Sequence, residues 1–191
     1  LEINIDIASI CVPTEFHFEV AQKMLSKGVS VLIEKPITNS INDANKLIEL
    51  AKLKKVILGV GHIERFNPVL KETKKILDEK IIGNIYQINI SRMGPKPNRK
   101  LDTGVFLDLA THDIDIVRYL LGEEPISVYS CSNTINGEIQ YEDLGSSILT
   151  FSNNKIVNIN VNWVSPIKIR EMIIIGSKGL ITVNFITQDL N

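Results

Sequence analysis

VSVLIEKPIT, residues Val29 to Thr38, decides how the rest of the chain is read. Val29 to Ile33 has the composition of a core strand. Glu34 and Lys35 then put a carboxylate and an ammonium at its carboxyl end, and Pro36 fixes the next φ. Lys is rarely buried without a partner. A core strand that ends in a charged pair pinned by a proline needs a reason. Lys35 can form a surface salt bridge there, or it can stand in a ligand site. A cis Lys35–Pro36 peptide, otherwise found in only about 5–6% of X–Pro bonds, would help to aim it.

The surroundings place this pair at a sheet end without deciding between the two. Ile5 to Val12 is a first apolar run of strand length, stopped by Pro13 and Thr14. Thr14 is a suitable cap for a helix over Glu15 to Ser26, with Val20, Met24 and Leu25 on its apolar face. Gly28 ends that helix. Ser40 caps a second helix over Ile41 to Leu53, with Ala44, Leu47, Ile48 and Ala51 at helical spacing. Val56 to Val60 is a third strand. The order β-α-β-α-β with apolar strands predicts a parallel sheet covered on both faces. Ligands of such sheets bind at the strand carboxyl ends, where Pro13–Thr14, Glu34–Lys35 and Gly61–His62 fall.

Beyond Phe66 the pattern changes. Asn67–Pro68 opens a charged helix to about Lys80, and IYQINIS alternates as a strand with one wet face. A Pro-rich basic loop runs from Gly94 to Lys100, followed by an amphipathic helix from Gly104 to Leu121. Five further strands are expected at Ile126–Cys131, Ser146–Phe151, Ile156–Val164, Arg170–Ile175 and Leu180–Phe185. Turns at Asn153–Asn154 and Ser177–Lys178 separate antiparallel neighbours. The Gly-Ser-Lys-Gly run from Gly176 to Gly179 reads as a hairpin, because strands flank it on both sides. The fold class is therefore α/β, the C-terminal half of a Rossmann-type doubly wound sheet over residues 1–64. An α+β domain with an open, mainly antiparallel sheet follows over residues 65–191.

Composition narrows the function classes. The 191 residues carry a net charge of −1, which leaves no electrostatic footprint for nucleic acid. Apolar runs are of strand length, so no membrane span is expected, and no secretory signal is evident. The two cysteines, Cys11 and Cys131, form no CxxC pair and read as packed, reduced thiols of a cytoplasmic protein. The histidines at 17, 62 and 112 have no HxH or HExxH spacing, so no metal site is expected.

Within GVFLDLATHDIDIVRYLLG, Gly104 to Gly122, Asp108 and His112 stand at i and i+4 on one helical face. Leu109, Ile116, Leu120 and Leu121 form the apolar side, and Asp115 lies a further turn along. A carboxylate one turn from an imidazole can orient it and raise its pKa, as in a general base. The same residues also suit a charged helix surface.

With these two constellations on one β/α background, the sequence resembles the glucose–fructose oxidoreductase / inositol dehydrogenase (Gfo/Idh/MocA) family of NAD(P)-dependent sugar dehydrogenases. VPTEFH, GVSVLIEKPIT, GHIERFNPV and the GxxxDxxxHDxD form of Gly104 to Asp115 carry the resemblance, which covers nearly the whole chain. It implies Lys35 as the catalytic lysine, His112 as the group that takes the hydroxyl proton, and Asp108 as its acidic partner. It implies cofactor binding, NAD or NADP, by Pro13, Thr14, His17, Glu34 and Lys35. Substrate binding would fall to Arg65, Arg92, Arg99 and Lys168. The strand would then end in a charged pair because its end is an active-site floor.

RMGPKPNRKLDTG and NWVSPIKIRE look most like members acting on the 3-hydroxyl of nucleotide-linked amino sugars. Arg92, Lys96, Arg99, Lys168 and Arg170 can supply a diphosphate with cationic partners. They equally describe a basic loop and a solvated hairpin. A free polyol or aldose dehydrogenase and a non-catalytic ligand sensor on the same fold are the alternatives. A homo-oligomer through the antiparallel sheet is expected, since its outer face carries Ile, Val and Trp163. One departure from the family pattern is sharp, because no GxGxxG occurs in the chain. The glycine-rich β-α-β should precede Ile5, and elements after Phe185 are also expected. The chain therefore reads as a fragment that alone would bind a dinucleotide poorly.

Overall fold

The computed structural model describes residues 4–99, 101–137 and 140–191. Lys100, the last residue of the expected basic loop, lies outside the described residues, as does the chain start at Leu1. The chain divides into two units, Leu1–His62 and Ile63–Asn191.

The first unit holds β1 (Ile7–Ile10), α1 (His17–Ser26), β2 (Ser30–Ile33), α2 (Ile41–Lys54) and β3 (Leu58–Val60). The strands lie in the order β1-β2-β3, both pairs parallel. Both helices pack on one face, where Ile10, Val31 and Ile33 meet Ala21, Leu25, Leu47 and Ala51. Within this chain the helices cover this one face. Two right-handed crossovers that step the same way along a sheet put their helices on the same side. The opposite face leaves Ile7 65% and Leu32 45% exposed.

Local chemistry explains the boundaries. The Ser40 hydroxyl caps α2 by accepting from Asp43 N at 3.2 Å. Thr14 does not cap α1. It sits inside a 3-10 turn over Thr14–Phe16 that follows Pro13, and neither that turn nor α1 has a side-chain cap. Gly28 turns the chain at φ +79°. Ile48 is exposed, because the buried stripe of α2 is the narrow one of Leu47 and Ala51.

The second unit begins with a 3-10 turn at Ile63–Phe66, then α3 (Pro68–Asp78), β4 (Ile85–Pro95), α4 (Thr111–Leu121), β5 (Ser127–Asn133) and β6 (Leu144–Thr150). The strands β7 (Ile156–Asn162), β8 (Val164–Gly176), β9 (Gly179–Asn184) and β10 (Asp189–Leu190) complete it. Asn67 caps α3 through Val69 N, with Pro68 in the first turn. The sheet order is β10-β9-β8-β4-β7-β6-β5. All pairs are antiparallel except the central pair β4–β7, which is parallel. Asn153 and Asn154 both adopt positive φ, 56° and 59°, in the turn between β6 and β7.

Both helices of this unit and the inner sheet face share one core, which includes Leu70, Ile88, Ile90, Ile116, Leu120 and Ile174. Trp163 belongs to that core at 5% exposure, not to the outer face expected from its alternation. It lies at the break between β7 and β8, where strand alternation stops applying. Both cysteines are free and exposed rather than packed. Cys131 is on β5, an edge strand exposed along its whole length, and Cys11 follows the end of β1.

The β8–β9 hairpin turns where Gly176 pairs with Gly179. A Cβ on Gly176 would collide with the Ile82 carbonyl oxygen, whereas one on Gly179 would meet only Ile82 Cγ2 at 3.8 Å. Gly176→Ala should therefore destabilise the protein by about 1–3 kcal/mol. Gly179→Ala should change stability by less than about 1 kcal/mol, the pair being compared by urea denaturation.

Candidate functional site

In the first unit the parallel ladder continues past the strands. Glu34 N donates to Ile10 O at 3.0 Å and Gly61 N to Ile33 O at 2.8 Å. Lys35 therefore leaves from a backbone held on both sides. Its amide donates to its neighbour's carboxylate, Glu34 Oε2, at 3.3 Å. The Lys35–Pro36 peptide is cis. A Cβ on Gly61 would come within 3.3 Å of Glu34 Oε1, so glycine leaves that carboxylate its place.

His17 is 1% exposed and joins two loops. Nε2 lies 2.9 Å from Val12 O and Nδ1 2.8 Å from Pro36 O. Both ring nitrogens are engaged by backbone, so His17 ties the segment after β1 to the segment that carries Lys35. Pro13 stands exposed at the end of β1, with Thr14 buried beside it. This carboxyl-end rim, with Lys35 and Glu34 on it, is where ligands of parallel sheets bind. A nicotinamide dinucleotide bound there would supply a hydride acceptor.

In the second unit the expected helix from Gly104 has two parts. A π turn over Phe106–Ala110 precedes α4, and Asp108 is in the π turn while His112 is the second residue of α4. π turns recur at functional sites because they displace side chains from α-helical register. Asp108 accepts from Arg99 Nη2 at 2.7 Å. Asp108 and His112 are both half-buried.

Beneath them lies a charge arrangement that the sequence reading missed. Arg92 is 2% exposed on the core side of β4. Its Nε donates to Asp113 Oδ1 at 2.9 Å and its Nη1 to Glu64 Oε1 at 3.0 Å. Asp113 is 0% exposed. A signal was present: in the alternation Ile88, Ile90, Arg92, the arginine takes a core position and so requires buried carboxylates. Burial pushes the Asp113 carboxyl up to about 6, against the pull of the Arg92 guanidinium. Burial also opposes the charge of Arg92, but Asp113 and Glu64 outweigh it and raise its pKa. Arg170 is lowered by its own burial and by the Arg92 charge.

Arg92, Lys96, Arg99, Lys168 and Arg170 line one cleft of about 400 Å³, together with Asp108, Leu109 and Trp163. Among the described residues lining it, five are cationic and one, Asp108, is a carboxylate. Arg65, expected to bind substrate, is not among them. Its guanidinium clasps Asp115 at 2.8 and 2.6 Å and lies 5.5 Å from the Tyr119 ring centroid. Among the described residues no group of His, Cys, Asp and Glu has the makings of a metal site, and no helix is long and apolar enough to cross a membrane.

The raised Asp113 value has a signed consequence. A group whose folded pKa lies above its unfolded value stabilises most at low pH and loses that contribution as pH rises. Relative to Asp113→Asn, the wild type should lose stability between about pH 4 and 6 and change little above about 7. Urea denaturation of both proteins across that range measures it.

Comparison with known proteins bears on both units. Residues 2–62 match the model of an oxidoreductase family with an NAD-binding Rossmann fold, and residues 70–182 match the GFO/IDH/MocA C-terminal domain. The chain is 30% identical to UDP-N-acetylglucosamine 3-dehydrogenase of Acidithiobacillus ferrooxidans, over 98% of this chain and 58% of the relative. The solved structure of that enzyme superposes with a TM-score of 0.85, covering 97% of this chain and 59% of the other. The chain is 32% identical to scyllo-inositol 2-dehydrogenase (NAD(+)) of Bacillus subtilis, over 85% of this chain and 50% of the relative. The WlbA dehydrogenase from Bordetella pertussis, solved in complex with NADH and UDP-GlcNAcA, is 25% identical with a TM-score of 0.87, over 94% of this chain and 56% of its own. The chain thus spans little more than half the length of these relatives.

Proposed function

Because this chain belongs to the GFO/IDH/MocA oxidoreductase family, we propose that the full-length protein is a nicotinamide-dependent dehydrogenase of a sugar nucleotide, oxidising the 3-hydroxyl of a UDP-linked amino sugar. The observation that carries the substrate class is the cationic cleft. Arg170 approaches Glu64 only to 4.0 Å, and Arg92 already holds that carboxylate. A diphosphate entering the cleft would give Arg170 and Lys168 charge-assisted partners. The 30% identity to a UDP-N-acetylglucosamine 3-dehydrogenase supports the same class.

In this reading His112 takes the hydroxyl proton while hydride leaves the same carbon. Lys35 stabilises the alkoxide by its charge. Asp108 orients the imidazole. His17 acts through the Pro36 carbonyl, keeping Lys35 in place. Loss of either acting group should lower kcat more than it raises KM. His112→Asn should reduce kcat by about 10²–10⁴-fold, and Lys35→Met, which keeps most of the stem, should also reduce it strongly. Steady-state kinetics of the full-length protein with UDP-N-acetylglucosamine and NAD, with thermal melts to verify folding, test this. A folded single variant with wild-type kcat would remove that residue from the mechanism.

The inositol dehydrogenase relatives favour a second reading, a free polyol dehydrogenase with the same acting groups. Lys168→Glu separates the two. It should raise KM at least about tenfold for a sugar nucleotide through lost ion pairing and leave that for a polyol unchanged.

The protein assembles as a homo-oligomer through the outer face of its seven-stranded sheet. On that face Asn158 donates to Asn89 at 2.8 Å and Ser146 to Asn160 at 2.9 Å, so the polar centre is satisfied within the sheet. Ile173, Ile175 and Leu180 beside it are exposed and can be covered by a second copy. Ultracentrifugation should find the full-length protein larger than a monomer, and Ile173→Glu should shift it toward monomer.

A further inference from the structure

The segment that carries Asp108 and His112 is held at its start by a residue far away in the chain. Glu142 lies in the turn that leads into β6. Its backbone carbonyl accepts from Val105 N at 3.0 Å, and its carboxylate Oε1 accepts from Phe106 N at 3.2 Å. These amides stand at the beginning of the π turn, where a helix has no partners of its own to offer. The carboxylate lies flat against Gly104, since a Cβ built there would overlap it. Two neighbours fix Glu142 itself. The buried Asp143 carboxylate accepts from Ile135 N and Asn136 N, each at 2.8 Å, and Asp143 O accepts from Trp163 N at 2.8 Å. At Gly145 the missing side chain admits the Phe106 ring, which would lie 2.7 Å from a Cβ. The run Glu142-Asp143-Leu144-Gly145 is therefore a fixed socket for the start of the helix.

We infer that Glu142 is a positioning residue for His112 and Asp108. The inference rests on the proposal that His112 is the general base. Asp108 N donates to Gly104 O at 2.9 Å, so the residue that Glu142 packs against also takes up the backbone of Asp108. His112 follows one turn later. If the Glu142 carboxylate leaves Phe106 N, the π turn loses its anchor, and with it the register that aims both side chains. The carboxylate acts as a hydrogen-bond acceptor of a given shape, and an amide oxygen can fill the same role.

The sequence context provides an internal control. Gly104→Ala would push the Glu142 carboxylate off Phe106 N without removing it, and Gly104 has no positive φ that alanine would strain. The test compares Glu142→Ala, Glu142→Gln, Gly104→Ala and the Gly104→Ala/Glu142→Ala double variant of the full-length protein. One readout is amide hydrogen exchange, by mass spectrometry, of peptides covering Val105 to His112. The other is steady-state kinetics with UDP-N-acetylglucosamine and NAD.

Glu142→Ala should speed exchange in that segment and lower kcat about ten- to a hundredfold, the scale of a misplaced catalytic group, with KM within about twofold. Glu142→Gln should keep kcat within about threefold and leave exchange near wild type. Gly104→Ala should resemble Glu142→Ala, and the double variant should be no worse than either single one. A folded Glu142→Ala protein with wild-type exchange, or a Glu142→Gln protein as impaired as the alanine variant, overturns the inference. So does additivity of the two single changes. If the wild type fails to turn over the sugar nucleotide, the substrate reading falls, and the exchange pattern of the four variants still decides whether Glu142 holds the segment.

Discussion

A guanidinium buried among hydrocarbon constrains the second unit more than any other group. Moving a charged side chain out of water costs several kcal/mol even after the protein relaxes. Arg92 meets that cost only while Asp113 and Glu64 stay against it. Three elements are thereby committed to one arrangement: β4 through Arg92, α4 through Asp113, and the turn at Ile63–Phe66 through Glu64. A second arginine does similar work nearby, where Arg65 grips Asp115 on the same helix. The aspartates of the HDID run thus point away from chemistry and into anchoring. His112, set between the π turn and Asp113, inherits a fixed frame from both.

The same arrangement shapes the cleft electrostatically. Two carboxylates hold Arg92, so its charge is compensated within the protein rather than offered to the cleft. Arg170 sits close enough to Arg92 for its pKa to be lowered, and an incoming anion relieves that repulsion. Arg99 has an Asp108 carboxylate at 2.7 Å, so its charge is shared with the proposed catalytic group. The cations of the cleft are therefore graded. Arg92 is structural, Arg99 is coupled to Asp108, and Arg170 and the exposed Lys168 face the cleft with weaker internal ties.

Local rules of sequence were legible where they act over a few residues. Ser40, Asn67–Pro68, Gly28 and Asn153–Asn154 each read correctly as a cap or a turn, because the chemistry that dictates them is contained in the residue and its near neighbours. The strand end at Lys35 was legible too, since a lysine and a proline after a core strand contradict burial. What failed depends on partners that are remote in the chain. Trp163 looked like an outward strand residue because nothing local marks the break between β7 and β8. The carboxylate partners of Arg65 and Arg92 come from elements remote in the chain, and no local pattern announces them. The π turn is invisible in a pattern of i and i+4 spacings, since those spacings assume an unbroken α-helix.

The central place of β4 sets an order of events for assembly. Its parallel neighbour brings Asn89 beside Asn158, 69 residues away. By contrast, β6–β7 and β8–β9 are hairpins with short turns, which close in microseconds. Closing a long loop costs entropy before the contacts it allows are gained. A nascent chain exposes β4, with Ile88 and Ile90 on one side, before either of its sheet partners has been synthesised. Until β7 arrives, that strand has two open edges and a charged arginine at the end of its apolar face. Slow, concentration-sensitive refolding is the expected companion of such a topology. The arginine that organises the finished cleft is, during synthesis, a charge that discourages β4 from burying itself in the wrong place.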